Sequence, residues 1–277
     1  MNDRCYAKVN LALDVFNVRE DGYHDIKSVM VPVSFYDEIS IEFADENKYE
    51  CNKKHIYFDE SNSIIKMIKA FHNKYGVTAC YNVVLNKQIP TKAGLAGGTS
   101  DAAGTLRLLQ KLHHIACSFD DIKELCVQVG ADVYFNYYNK PAIVEGIGDK
   151  LTFIDIKDDY YILLLKPRMG VSTKQAYETL DMNICDHPDI DSLVKALENG
   201  EDILPFMSNS LEQPALILNK DIKEIKSELK EKVGNGLMSG SGSTVFAISK
   251  NRTLLHDLNQ EYMNSKYFVR FTKIVKE

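Results

Sequence analysis

Ile89-Pro90-Thr91-Lys92-Ala93-Gly94-Leu95-Ala96-Gly97-Gly98-Thr99-Ser100-Asp101-Ala102-Ala103 joins a β-rich run to a helical apolar stripe, Ala102, Leu106, Leu109 and Leu112. Glycines at this density let successive backbone N–H groups turn inward and form a concave donor nest, the shape that takes an anion. A helix starting near Ser100 adds the positive end of its dipole and its unsatisfied first-turn N–H groups. Thr99 and Ser100 can hold a phosphate oxygen or a Mg²⁺ ion, or cap the helix, and Asp101 can complement the dipole. A purely structural glycine turn is the alternative. The loop has no Gly-Lys-Ser/Thr and does not meet the G-x-G-x-x-G spacing, so neither large nucleotide-binding superfamily fits.

Upstream, residues 5–16 alternate with period two: Ala7, Val9, Leu11, Leu13 and Val15 share one face, and Lys8, Asn10, Ala12 and Asp14 the other. That pattern is a strand with one buried face, the polar face being either solvated or a place where a cation and an amide point the same way. Asp21-Gly22 marks a hairpin tip, and residues 28–43 offer two more β runs broken at Tyr36-Asp37. A helix is expected from Asn62 or Ser63 and a strand over Tyr81–Leu85. After the glycine loop, Ser118 and Gly130 bracket another helix, and Gly130-Ala131-Asp132 follows at once. Residues 149–159 are polar and suggest a domain boundary. Beyond it come a buried strand at Tyr160–Leu165, a helix opened by Ser172 and Gln175, helices over 192–198 and 221–233, and strands at Leu237-Met238, Thr244–Ile248 and Tyr267–Val275. The fold class is α+β, with expected domains of residues 1–152 and 153–277.

The chain has 277 residues, 45% of them hydrophobic and 26% charged, which fits one large or two modest globular domains and excludes disorder. Its 33 Lys+Arg against 39 Asp+Glu leave a net charge of −6, the wrong sign for a protein living on nucleic-acid phosphates. No apolar run reaches the roughly 18 residues a membrane span needs. MNDRCYAKVN lacks the long apolar core of a secretory signal, and the six cysteines form no C-x-x-C pair. The expectation is a cytoplasmic enzyme with reduced thiols and neither nucleic-acid nor membrane partners. His55, His113, His114 and His187 carry no metal-site spacing.

The run from Ile89 to Ala103 resembles the phosphate loop of the GHMP kinases. Essentially the whole chain follows that family, including Ala7-Lys8-Val9-Asn10-Leu11, Asp21-Gly22-Tyr23-His24, Gly130-Ala131-Asp132-Val133, Glu145–Asp149, Gly170–Thr173 and Met238-Ser239-Gly240-Ser241-Gly242. Lys-x-Asn together with Asp-Gly-Tyr-His is most similar to the branch that phosphorylates a cytidine-diphosphate-linked methylerythritol for non-mevalonate isoprenoid synthesis. The resemblance implies a two-domain fold with its active site in the inter-domain cleft, ATP and Mg²⁺ as cofactors, and a small acceptor carrying cytidine diphosphate. It implies Asp132 as the general base and Lys8 as the lysine that keeps this aspartate ionised and steadies the transferring phosphoryl group. Asn10 would bond the substrate, Tyr23 would stack on cytosine and His24 would bond its edge, while Thr173 and Tyr177 would flank the substrate pocket. ATP would meet Pro90, Ala93, Gly94, Leu95, Ala96, Gly97, Gly98, Thr99 and Ser100, with Asn62 and Lys87 near its adenosine. Gly240, Ser241 and Gly242 would bring a second glycine loop, and Thr99 or Ser100 would serve the Mg²⁺.

The chain departs from the family pattern in three places. Thr99 replaces a serine, Tyr134 replaces the proline after Asp-Val, and Cys5-Tyr6 replaces the small residue and proline before Ala-Lys. Two other readings stay open: another GHMP kinase acting on homoserine, mevalonate or a sugar, and a non-catalytic nucleotide-binding relative.

Overall fold

The computed structural model describes residues 1–20 and 22–276. Asp21, expected at a hairpin tip, lies outside the described residues. The chain folds into two compact units that share its segments: Met1–Ala7, Tyr36–Pro90 and Ala96–Asn139 form the first, and Lys8–Phe35, Thr91–Leu95 and Lys140–Glu277 the second. The polar stretch 149–159, where a boundary was expected, falls inside the second unit. Two long strands, β1 (Asn2–Val18) and β2 (His24–Ala44), contribute to both.

In the first unit the later half of β2 pairs antiparallel with β4 (Cys80–Asn86), Ile39 opposite Leu85, and β3 (Lys48–Cys51) runs parallel to β4. Around this sheet lie α1 (Ser63–Tyr75), α2 (Gly97–His113), α3 (Phe119–Val129) and the short α4 (Val133–Tyr138). The stripe Ala102, Leu106 and Leu109 of α2 is fully buried with Ile64, Phe71, Tyr81, Val83 and Leu125. Each large side chain so removed from water contributes about 1.5–3 kcal/mol. Gly104 matters here, because a Cβ there would come within 2.5 Å of Cys5 Sγ. The helix therefore lies directly on β1 at Cys5.

In the second unit the first half of β2 pairs with β5 (Ala142–Gly146), and β5 with β6 (Lys150–Phe153). A second, wholly antiparallel sheet has the order β10-β7-β9-β8, formed by β7 (Tyr161–Lys166), β8 (Leu237–Met238), β9 (Val245–Ser249) and β10 (Phe268–Lys273). Its helices are α5 (Thr173–Thr179), α6 (Ile190–Asn199), α7 (Glu212–Leu218), α8 (Lys220–Val233) and α9 (Arg252–Tyr262). Leu163, Leu165, Ile222, Ile225, Leu229, Val245 and Leu255 form its core.

Three expectations change. β2 does not break at Tyr36-Asp37: the backbone stays extended, and Asp37 turns inward to accept from the N–H groups of Gln88 and Ile89. α2 starts at Gly97, three residues before Ser100, so the glycine pair forms its first turn. The polar face of β1 is not solvated, since Lys8, Asn10 and Ala12 are all buried. No helix among the described residues is long and apolar enough to cross a membrane.

Candidate active site

Helix α2 begins unlike α1 and α3. In the first unit α1 is capped by Asn62, whose Oδ1 accepts from Ile64 N at 2.9 Å, and α3 by Ser118 in a capping box with Asp121. No side chain caps α2; its start is Ala96 in the left-handed region, φ 57°. Thr99 and Ser100, expected as possible caps, do something else. Thr99 Oγ1 donates to Ala96 O at 2.9 Å and accepts from Asn136 Nδ2 at 3.0 Å. Ser100 is buried, and its hydroxyl donates to Tyr6 O at 2.7 Å. The first turn therefore has no side-chain cap on its N–H groups, and negative charge is favoured there.

Gly97 and Gly98 keep this turn bare. Gly97 is not in the left-handed region; its constraint is closeness, because a Cβ would lie 2.9 Å from both Lys87 Nζ and Ile89 Cγ2. Gly98 is exposed, and its carbonyl accepts from Ser63 Oγ at 2.6 Å, which ties the start of α1, and with it Asn62, to the glycine turn. The methyl group that Thr99 adds sits 3.2 Å from where a Gly130 side chain would begin, so the glycine there accommodates it. Pro90 is half-buried at the loop entrance.

Lys87 is enclosed rather than exposed. Its Nζ donates to Asp37 Oδ2 at 2.5 Å and to Asp101 Oδ2 at 2.6 Å, both carboxylates being buried. Burial alone would lower the ammonium's pKa, but Asp101 and then Asp37 outweigh it and the pKa rises. Asp101, expected to face the helix dipole, is instead committed to this ion pair. Asp132 stands at the head of α4, half-buried, and its side chain does not cap that helix.

In the second unit a directed chain of hydrogen bonds fixes the polar face of β1. Lys8 Nζ donates to Asn10 Oδ1 at 2.7 Å, Asn10 Nδ2 to Ser28 Oγ at 2.8 Å, and Ser28 Oγ to Ala12 O at 2.6 Å. Against this face lies the second glycine loop: a Cβ on Gly240, whose φ is 56°, would come 3.2 Å from Lys8 Nζ and from Gly94 O. Ser239 Oγ donates to Gly94 O, Thr244 N to Ala93 O and Lys8 N to Leu95 O. Gly94 itself has φ 73°, and a Cβ there would meet Ser239 O at 2.0 Å. Asn209 was not expected, yet its Nδ2 bonds both Met238 O and Gly240 O and holds the loop. Ser241 Oγ lies 2.8 Å from Thr173 Oγ1, and the His24 ring packs on Tyr177 with centroids 4.8 Å apart. Tyr23 is 62% exposed, and Gly242 is buried against Met238. The structure therefore gathers Lys8, Asn10, Gly94 and Gly240, gathers Thr173 with Ser241, and gathers His24 with Tyr177.

Ser28, Asn209, Asp37 and Asn136 escaped the sequence reading, because each acts on a partner far away in the chain. The histidines behave as packing or surface groups: His72 and His113 both bond Tyr81 Oη, and His187 pairs with Asp14. Among the described residues no cluster of three or more His, Cys, Asp or Glu could hold a metal.

The profile of the GHMP kinases N terminal domain matches residues 62–140, and that of the GHMP kinases C terminal domain matches 185–262. The chain is 39% identical over 272 residues to the 4-diphosphocytidyl-2-C-methyl-D-erythritol kinase of Clostridium beijerinckii, covering 96% of this chain and 97% of the relative. The chain belongs to the 4-diphosphocytidyl-2-C-methyl-D-erythritol kinase family of GHMP kinases. A crystal structure of 4-(cytidine 5'-diphospho)-2C-methyl-D-erythritol kinase superposes over 100% of both chains with a TM-score of 0.84 at 27% identity. The homoserine kinase of Cytophaga hutchinsonii shares the fold, with a TM-score of 0.72 at 16% identity over 98% of this chain and 94% of that one. The two-domain α+β GHMP kinase fold expected from the sequence is the fold found, and the chain is a kinase of this family.

Proposed function

We propose that the chain transfers the terminal phosphoryl group of ATP to the 2-hydroxyl of 4-diphosphocytidyl-2-C-methyl-D-erythritol, giving the 2-phosphate and ADP, and does so in the cytoplasm. The observation that carries this reading is the buried Lys8 ammonium, aimed through Asn10 and Ser28 and lying against the backbone of Gly94 and Gly240. A cation held in one direction on a buried strand face can meet developing negative charge without reorganising. Phosphoryl transfer needs mainly positioning and charge neutralisation, which this arrangement supplies.

In this reading the uncapped first turn of α2 takes the ATP phosphates, with Pro90 and Ala93 to Ser100 forming the loop around them. Lys87 supports that turn from beneath, and Asn62 lies at the neighbouring helix start on the nucleotide side. Asp132 receives the proton of the acceptor hydroxyl. Lys8 steadies charge on the transferring group, and Asn10 holds substrate. Tyr23, exposed and aromatic, offers a face to cytosine, His24 a hydrogen-bonding edge, and Thr173 and Tyr177 flank the acceptor. Both hydroxyls are bonded within the chain, Thr99 to Ala96 O and Asn136 and Ser100 to Tyr6 O, but Thr99 is half-buried and Ser100 fully buried, so Thr99 is the one a Mg²⁺ would reach. Mg²⁺ would neutralise phosphate charge when bound.

An ADP-release assay offering the cytidylyl substrate, homoserine and mevalonate in parallel tests the proposal. Turnover of the first alone is expected, with CDP competing. Turnover of homoserine or mevalonate without inhibition by CDP overturns the substrate assignment, and no turnover of any acceptor overturns catalysis.

A further inference from the structure

Residues 208–211 tie the second glycine loop to the strand that carries Lys8. Their backbone is fixed on β1: Leu13 N donates to Ser208 O at 3.0 Å and Ser210 N to Leu13 O at 2.9 Å, a parallel bridge of Leu13 with Asn209. From that anchor the buried Asn209 amide reaches the loop, its Nδ2 donating to Met238 O at 2.7 Å and to Gly240 O at 2.9 Å. Its Oδ1 accepts from Leu211 N at 2.9 Å, so a flipped amide would set oxygen against two carbonyls and only one orientation fits. Gly240 then returns to β1, since a Cβ on it would lie 3.2 Å from Lys8 Nζ and 3.4 Å from Asn10 Oδ1. The contacts close a circuit that leaves β1 at Leu13 and rejoins it at Lys8. A buried carbonyl deprived of its donor is costly to leave unmatched, so without the amide the loop would shift to satisfy Gly240 O.

We propose that Asn209 is a positioning residue for phosphoryl transfer: through Gly240 it sets the place of the Lys8 ammonium, and so governs turnover rather than substrate binding. This rests on the reading of Lys8 as the group that steadies the transferring phosphoryl. Charge stabilisation in the transition state depends on a donor already in place, and a misplacement of about 1 Å can cost on the order of a hundred-fold. Asn209 carries no charge, so it acts only by fixing where its partners stand. Ser210, next to it, serves the same segment differently. Its hydroxyl accepts from Val15 N at 3.1 Å and donates to Asp186 O at 2.8 Å, and neither partner is on the glycine loop. The two neighbours therefore separate holding the segment from holding the loop.

The test is steady-state kinetics of the full chain with ATP and the acceptor turned over in the ADP-release assay. Asn209→Leu keeps the size of the side chain and removes its hydrogen bonds. Below its Tm, its kcat should fall roughly ten- to a hundred-fold, with KM for both substrates within a few-fold. Ser210→Ala should lower Tm and leave kcat unchanged. The deciding measurement is a double-mutant cycle with Lys8→Met, read by single-turnover rates. If Asn209 acts through Lys8, adding Asn209→Leu to Lys8→Met should change the residual rate by less than about twofold. A full additional loss in that background, or a kcat in Asn209→Leu no lower than in Ser210→Ala, overturns the positioning role and leaves Lys8 standing. If Asn209→Leu does not fold, Asn209→Ser, with one hydroxyl donor in place of two N–H groups, is read in the same cycle by the same outcomes. Near-normal turnover in Lys8→Met overturns instead the reading of Lys8 on which the proposal rests.

Discussion

Helices α1 and α2 begin within the same compact unit, one residue of α1 hydrogen-bonded to the first turn of α2, and they begin in opposite ways. At α1 a conventional asparagine cap satisfies the turn from within the chain, and at α3 a serine capping box does the same. At α2 the cap is an alanine in the left-handed region, followed by two glycines, over a buried ammonium shared by two carboxylates. α4 likewise starts without a side-chain cap, and the residue at its head is Asp132. A helix that spends its own side chain on its end is finished as structure. A helix whose end is stripped of side chains, at a cost of about 1 kcal/mol for a missing cap, is shaped for something that arrives later.

The sharpest way to break this contrast is at α4. Asp132→Asn should lower turnover by roughly 10²–10⁴-fold while leaving ATP binding within a few-fold, because the amide cannot accept the hydroxyl proton. Steady-state kinetics beside a nucleotide-binding measurement decides it, and near-normal turnover would return Asp132 to the ordinary helix starts. At α2, Gly97→Val puts a branched side chain where Lys87 Nζ and Ile89 already stand 2.9 Å from the Cβ position. Either the first turn or the Lys87 and Ile89 side chains beneath it must shift. Loss of one charge-assisted contact is worth about 1.5–3 kcal/mol, so the KM for ATP should rise roughly 10–100-fold. An unchanged KM in a folded variant would make α2 as structural as α1.

The legible parts of this molecule are those whose signal is local. The alternation of β1, the caps at Asn62, Ser118 and Ser172, and the β7 run can each be read within a dozen residues. That the glycine loop opens a helix was legible, but not the floor beneath it. Lys87 meets Asp37 fifty residues upstream, and nothing in sequence spacing brings them together. The same holds for Lys8, whose burial depends on Ser28 and on the loop at Gly240, so the polar face of β1 reads as solvated until the fold is seen. Among the elements, α9 hides because Leu255 and Leu258 are its only buried leucines, set among polar residues. β3 has only four residues. α7, with a proline in its first turn, is held at its start by Asn209 Oδ1 rather than by a side chain at the cap position.

Specificity should lie away from these helix ends, and Tyr23 tests whether it does. Stacking on a base is worth about 1–3 kcal/mol, so Tyr23→Ala should weaken the cytidylyl substrate and free CDP together by roughly five- to a hundred-fold while ATP affinity barely moves. Tyr23→Phe should be nearly silent, since the ring supplies the stacking. Intact CDP affinity in the alanine variant would leave only the kinase chemistry standing and remove the cytidine contact.

The smallest effect returns to the capped helix and asks whether the division between structural and functional ends is complete. Asn62 caps α1, bonds Tyr57 O, and precedes the serine that bonds Gly98 O, whereas Ser118 caps α3 with Asp121 alone. Asn62→Ala and Ser118→Ala should each cost about 1 kcal/mol of stability, read as a fall of a few degrees in Tm. If Asn62 also serves the adenosine, its alanine variant raises the KM for ATP beyond what Ser118→Ala does, at matched temperature below both transitions. If the two variants differ only in Tm, Asn62 is a cap and nothing more, and the nucleotide reads the first turn of α2 without help from α1. The pair works because the two caps share a role and a unit, and only Asn62 adjoins the residue whose contact leads to the glycine turn.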